Sequence, residues 1–308
     1  MSSLVLKSAA KVNLYLKVLN QREDGFHNIE TLFQRIDLCD ELTFHKNASG
    51  RITITCSHPH VPEGPKNLVY KVAQKFKDDF GIKEGIHIDI KKSIPVAAGL
   101  AGGSTNAATA LIALNQLWDI GLTRESLVEY AIGIGSDVAF FLYDTSFAIG
   151  TDRGHVLETV DIKQKYYYIL VTPKIKVYAK DAYQELALSR KIAIDRGEDE
   201  GLKERKVGGE NVLTNKGRDV NILIRNLENS NFSGIASEMT NDLQSAVISL
   251  CPGLQKTVER LKSLSTNDVM VSGSGPSVFS LMMSEDEALR IKKELVKKYS
   301  QVYVVKTL

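Results

Sequence analysis

Cysteine is scarce and poorly placed for cross-linking. Cys39, Cys56 and Cys251 are odd in number, far apart and without a C-x-x-C pair, which argues against a disulfide framework or a zinc knuckle. Proline is also sparse, at 7 residues, and with an apolar share of 43% and a charged share of 25% this excludes collagen-like or disordered chains. Neither sign of charge dominates: 39 basic and 37 acidic residues are interspersed to a net +2, leaving no electrostatic footprint for a nucleic acid or a membrane surface. No apolar run reaches membrane-spanning length. Lys7 and Lys11 interrupt the first apolar stretch, which lacks a signal-peptide hydrophobic core. These absences lead us to expect a cytoplasmic protein with neither nucleic-acid nor membrane partners, long enough at 308 residues for two domains.

What is present reads as alternating sheet and helix. Short strands are expected at 4–6 and 14–18, a longer β-rich stretch at 31–44, and further strands at 52–56 and 86–90. Asn67 precedes Leu68, Val72, Ala73, Phe76 and Phe80 at helical spacing, and Gly81 can end that helix. Ser104 is placed to cap a helix whose apolar face is Ala107, Ala108, Leu111, Leu114 and Leu117. Thr123 starts another, ending near Gly133 and Gly135. Beyond a boundary near 155–165, a strand at 166–172 and a helix at 179–189 lead into residues 191–219, which are charged and weakly periodic and read as an exposed insertion. Helices at 220–227, 233–250 and 254–264, strands at 269–271, 278–282 and 302–305, and a helix opened by Ser284 with Glu287 follow. The order strand, helices, strand, strand, helix, strand suits a split βαβ sandwich of the ferredoxin type.

The densest chemical signal is a loop of small residues between a strand and a helix start: Pro95, Val96, Ala97, Ala98, Gly99, Leu100, Ala101, Gly102, Gly103, Ser104 and Thr105. Small residues let backbone approach phosphate oxygens, and the free N–H groups and dipole of the next helix favour negative charge there. The plain alternative is a tight turn using glycine for steric reasons. Neither a G-K-[ST] ending nor the G-x-G-x-x-G order is present, so the P-loop and dinucleotide folds are excluded. A second glycine turn, Ser272-Gly273-Ser274-Gly275-Pro276-Ser277, is either a hairpin or a second wall for the same ligand. Lys11 and Asn13 share one face of a strand, as a polar pair or as the solvent stripe of an edge strand. Asp137 is a base for a hydroxyl or a turn-forming aspartate, and phosphoryl transfer gives the acid and the lysine a joint purpose. Phe26 and His27, after Arg22-Glu23-Asp24-Gly25, suit a nucleobase face and edge, or a core anchor. His58 and His60 lack a third nearby ligand, and no metal-binding residues are assigned.

Ala10-Lys11-Val12-Asn13, Arg22-Glu23-Asp24-Gly25-Phe26-His27, the loop from 95 to 108, Gly135-Ser136-Asp137-Val138 and the turn from 272 to 277 together resemble the GHMP kinases. The Arg-x-Asp-Gly-Phe-His piece is similar to members acting on a cytidine diphosphate-linked methylerythritol. The resemblance implies an α+β, two-domain GHMP kinase fold. Its N-terminal βα domain, at 1–160, is ribosomal-protein-S5-domain-2-like, and a C-terminal ferredoxin-like split βαβ domain spans 161–308. It implies ATP as co-substrate with Mg2+, and phosphorylation of the C2 hydroxyl in non-mevalonate isoprenoid synthesis. Lys11 and Asp137 are then the catalytic pair, Asn13, Phe26, His27 and Tyr183 contact the acceptor, the loop from Pro95 to Thr105 holds the triphosphate, and Asn67 and Lys92 border the adenine. A small-molecule partner and a monomer or weak homodimer are expected. Homoserine or mevalonate as acceptor, and a non-catalytic nucleotide- or RNA-binding module, stay open. The chain departs from the family pattern at Ala101 and Thr105, where glycine and serine are usual, at Ala139 for proline, and at Asp152-Arg153-Gly154-His155 for Gly-x-Gly-Glu.

Overall fold

The computed structural model describes residues 3–195, 202–207, 210–215 and 218–308. The chain packs into two compact units: Met1–Ala10, Asp37–Val96 and Ala101–Asp144 in the first, Lys11–Ile36, Ala97–Leu100 and Thr145–Leu308 in the second. A cut in chain order at 160/161 and this division by packing describe the chain differently, because two long strands and the glycine loop have residues in both units.

In the first unit, β1 (Ser3–Gln21) begins and β2 (His27–Asn47) ends. β1 is one strand of 19 residues where two short ones are expected. The polar residues Ser8, Lys11 and Asn13 that break the apolar alternation are themselves buried and hydrogen-bonded, so they do not end the strand. β3 (Ile52–Cys56) runs parallel to β4 (Gly85–Lys91), and β4 pairs antiparallel with β2, Glu41 opposite Lys91. Leu42, Phe44, Ile54, Ile86, Ile88 and Ile90 turn inward at the two-residue period. Each fully buried side chain of this size contributes about 1.5–3 kcal/mol.

Helix α1 (Leu68–Phe80) follows the sequence closely: Asn67 accepts from the Val69 N–H at its start, Gly81 closes it in the left-handed conformation at φ 63°, and Val69, Val72, Ala73 and Phe76 are buried. Helix α2 (Gly102–Leu117) departs from expectation in two ways. Its N-cap is Ala101 at φ 55°, with Ser104 inside the first turn, and it is buried on nearly every side from Thr105 to Leu114 instead of along one stripe. Helix α3 (Arg124–Ile134) is capped by Thr123, and a 3-10 turn at Ala139–Leu142 ends the unit's core.

The second unit adds a hairpin that periodicity did not reveal, β5 (Phe147–Thr151) with β6 (Val156–Val160), paired through β5 to the first half of β2. β7 (Tyr167–Val171) leads to α4 (Ala179–Asp195), which runs past residue 189. Within the expected insertion, β8 (Leu202–Val207) and β9 (Glu210–Asn215) pair antiparallel, so this part is a hairpin and not irregular chain. Residues 196–201, 208–209 and 216–217 of that expectation lie outside the described residues. Next come α5 (Val220–Glu228), α6 (Phe232–Glu238), β10 (Thr240–Asn241) and α7 (Leu243–Leu250). The continuous helix expected at 233–250 breaks at β10 because Tyr15 and Leu16 of β1 take Thr240 and Asn241 as parallel partners.

Helix α8 (Gly253–Lys262), β11 (Val269–Val271), β12 (Val278–Met282), α9 (Glu285–Leu295) and β13 (Val302–Lys306) complete the unit. Its four-stranded sheet has the order β11-β12-β7-β13, antiparallel throughout. That order, with α9 crossing between β12 and β13, is the split βαβ arrangement the sequence suggests. Ile169, Val171, Val278 and Met282 of the sheet share one core with Val247, Leu254, Val258, Leu261 and Ile291 of the helices.

Candidate active site

Lys11 and Asn13 are 4% and 2% exposed, which removes the solvent-stripe reading. The Lys11 ammonium donates to Asn13 Oδ1 at 2.6 Å, Asn13 Nδ2 donates to Thr31 Oγ1 at 2.8 Å, and the Thr31 hydroxyl donates to the Tyr15 carbonyl at 2.6 Å. The ammonium also stands 5.2 Å from the Phe33 ring centroid. A buried lysine held by a hydrogen-bonded chain loses rotamer freedom before any ligand arrives, which is the preorganisation that electrostatic catalysis requires.

Two glycine segments lean on this network within the second unit. The backbone N–H of Lys11 donates to the Leu100 carbonyl at 3.2 Å. Ser272 Oγ donates to the Gly99 carbonyl at 3.0 Å, and the Ser277 N–H donates to the Ala98 carbonyl at 3.3 Å. A Cβ on Gly99 would stand 2.0 Å from the Ser272 carbonyl oxygen, so that close approach and its φ of 75° both demand glycine. A Cβ on Gly273 would lie 3.2 Å from Asn13 Oδ1 and 3.6 Å from Lys11 Nζ, which puts the second glycine turn against the same polar pair. Asn241 Nδ2 holds that turn from behind, donating to the carbonyls of Val271 and Gly273 at 2.7 Å each. The turn at 272–277 is therefore packed on the loop at 97–100, as its pairing in the sequence suggested.

Where the loop enters α2, the first intrahelical bond runs from the Thr105 N–H to the Ala101 carbonyl at 2.9 Å, so the N–H groups of Gly102, Gly103 and Ser104 precede the ladder. Pro95 and Val96 lead the loop in, and Ala97 and Ala101 both adopt positive φ, 53° and 55°, unusual for residues bearing a Cβ. Beside this start, a Cβ on Gly102 would approach Lys92 Nζ to 3.0 Å. Lys92 is paired with Asp40, which is fully buried, and Asp40 Oδ1 also accepts the N–H groups of Ser93 at 2.8 Å and Ile94 at 2.9 Å. Lys92 and Asn67, expected beside the adenine, thus have polar atoms engaged inside the protein: Asn67 caps α1 and donates to the Pro62 carbonyl at 2.7 Å. Asp40 was not singled out from the sequence, though it stands in inward register with Leu42 and Phe44, and a carboxylate at such a position implies a buried cation nearby.

The loop at 22–27 is shaped by its own polar groups. Asp24 Oδ1 accepts the Phe26 N–H at 3.1 Å, and the Arg22 N–H donates to the Phe26 carbonyl at 2.8 Å. Asp24 is held below the usual carboxylate range, first by that backbone donor and then by the Arg22 guanidinium. This turn leaves the Phe26 ring 54% exposed and carries His27 onto the start of β2, where its ring stacks on Tyr183 with centroids 5.2 Å apart. Burial, then the positive charge of Arg190, lower the His27 pKa from the ordinary histidine value, which favours the neutral ring with one donor and one acceptor nitrogen. In the first unit, Asp137 sits half-buried in the turn between α3 and the 3-10 segment, where the Val138 N–H donates to the Gly135 carbonyl at 3.1 Å.

Known proteins resemble this chain over nearly its whole length. The GHMP kinases N terminal domain matches residues 67–145, and the GHMP kinases C terminal domain matches residues 223–301. A 4-diphosphocytidyl-2-C-methyl-D-erythritol kinase of Bacillus anthracis is 35% identical over 305 residues, 99% of this chain and 97% of that protein. A solved structure of a 4-(cytidine 5'-diphospho)-2C-methyl-D-erythritol kinase superposes with a TM-score of 0.78 at 27% identity, covering 98% of each chain. A homoserine kinase from Cytophaga hutchinsonii, at a TM-score of 0.67 and 21% identity over 99% of this chain and 94% of that one, shares the fold. Matched by both family domains and aligned almost end to end with a relative at 35% identity, the chain belongs to the GHMP kinases, in the 4-diphosphocytidyl-2-C-methyl-D-erythritol kinase family.

Proposed function

We propose that this chain transfers the γ-phosphoryl group of ATP to the C2 hydroxyl of 4-diphosphocytidyl-2-C-methyl-D-erythritol, in non-mevalonate isoprenoid synthesis. The observation that carries the reading is the buried Lys11–Asn13–Thr31 chain with both glycine turns packed against it. Asp137 accepts the proton of the acceptor hydroxyl as its oxygen bonds to the γ-phosphorus. The bond from that phosphorus to the bridging oxygen breaks, and ADP leaves with the electron pair. Lys11 steadies the negative charge on the acceptor oxygen, and Asn13 orients the lysine and the polyol. The backbone from Pro95 to Thr105, ending at the α2 start, cradles the triphosphate.

Phe26 stacks on the cytosine face and the neutral His27 reads its edge, with Tyr183 fixing the plane of that imidazole. Asn67 and Lys92 shape the flanks of the nucleotide site from within the protein. Mg2+ would enter as the magnesium complex of ATP and would neutralise charge on the phosphate oxygens. The enzyme acts in the cytoplasm as a monomer or weak homodimer. Following ADP release by purified protein with ATP and magnesium, against the cytidylyl acceptor, homoserine and mevalonate in parallel, tests the reading. Turnover confined to the cytidylyl acceptor supports it, and turnover only with homoserine or mevalonate overturns it.

A further inference from the structure

The loop that presents Phe26 and His27 is gripped by a second segment to which no role has been given, the turn Asp152-Arg153-Gly154-His155. Asp152 holds both ends of the loop. Its carboxylate pairs with Arg22 Nη1, which also donates to Asn28 Oδ1 at 3.0 Å, and its carbonyl accepts the Ile29 N–H at 2.7 Å. To do so it adopts φ 59°, a left-handed conformation costly for any residue other than glycine and mildest for asparagine and aspartate.

The next residue, Arg153, lies over the Phe26 ring with its guanidinium carbon 5.0 Å from the centroid. Arg153 Nε is buried without a hydrogen-bond partner, and the guanidinium is seated by the Phe26 ring together with the negative charge of Asp24 in the same loop. A cation on one face of a ring that stays 54% exposed leaves ring surface for a ligand, and it fixes the angle of that surface.

We infer that Arg153, seated by Asp152, is a positioning and specificity-determining residue for the acceptor's nucleobase, acting through Phe26. The inference rests on the reading that Phe26 and His27 meet the cytosine. An ordered ring forfeits less freedom on stacking, so the benefit appears in acceptor affinity and not in the chemical step.

Steady-state kinetics of the intact protein and of Arg153→Ala, Arg153→Lys and Asp152→Asn separate the possibilities. Asp152→Asn tolerates the left-handed backbone while removing the ion pair. The expected result is an acceptor KM raised about tenfold in Arg153→Ala and Asp152→Asn, kcat within about twofold, an unchanged ATP KM, and partial recovery in Arg153→Lys. If the unsubstituted protein phosphorylates the cytidylyl acceptor and neither variant alters its KM, the inference is overturned and the function stands. Parallel loss of kcat and of ATP affinity would reduce Arg153 to a fold-holding residue and overturn it as well. If the unsubstituted protein leaves the cytidylyl acceptor untouched, the functional reading falls and the inference with it.

Discussion

The ammonium of Lys11 stands 2.6 Å from the amide oxygen of Asn13, two residues along the same strand, and both side chains are buried. Donating to an amide oxygen on its own strand face, with the Phe33 ring centroid 5.2 Å away, the ammonium is held in one place inside the protein.

Replacing Asp137 by asparagine or Lys11 by methionine should cut kcat by a factor of about a hundred or more, the usual cost of losing a positioned base or its electrostatic partner. Equilibrium binding of ATP should be unchanged for Asp137→Asn. Single-turnover kinetics beside a nucleotide-binding titration checks both, and near-normal turnover in either variant removes that residue from its role.

Gly99→Ala would place a methyl group 2.0 Å from a backbone oxygen of Ser272. Neither side can yield cheaply, so the loop must leave the turn at 272–277. A displacement near 1 Å costs about 100-fold in rate, and kcat/KM for ATP should fall by at least that factor. Melting should shift downward as well. A fully active, equally stable variant would mean the two glycine segments do not work as a pair.

Asp40→Ala deprives buried Lys92 of its partner and two backbone N–H groups of their acceptor. Breaking a buried pair from one side costs about 3–5 kcal/mol. The double change Asp40→Asn with Lys92→Met removes both charges and keeps an acceptor oxygen, so it should recover most of that loss. Urea unfolding of the set gives the coupling, and simple additivity would show that the ion pair contributes little.

The acceptor KM should be flat above pH 6.5 and rise as pH falls through the lowered pKa of His27, because the protonated ring loses its acceptor nitrogen. Burial and Arg190 disfavour the charged form, so the rise begins below the ordinary histidine value and not at it. His27→Asn, which has no titrating ring, should lose this feature. An identical profile in that variant assigns the titration elsewhere.

Much was legible in the sequence because it depends on neighbours along the chain. The cap at Asn67, the end at Gly81, the strand at 52–56, and the strand-turn-strand at 269–282 are set by short-range periodicity and by residues with special backbone preferences. The glycine loop before a helix and the polar pair Lys11 and Asn13 could be picked out for the same reason: residue types that fit poorly in an apolar strand or a plain turn announce themselves. Helix α6, β10 and α7 were read as a single helix, since nothing local reveals that β1 captures Thr240 and Asn241.

What tertiary structure alone decided is which polar groups are taken out of water and by whom. Local spacing could not tell whether Lys11 faced solvent; a buried chain through Asn13 and Thr31 settles it. The pairing of Asp40 with Lys92, 52 residues apart, and of Arg22 with Asp152, 130 apart, is likewise beyond periodicity. The physical reason is that burial and ion pairing are properties of a position in the packed interior, where the cost of an unpaired charge is imposed by segments distant in the chain. The amino-acid order by itself determined the local elements and the chemistry on offer, and packing determined which of those groups are held in place to perform it.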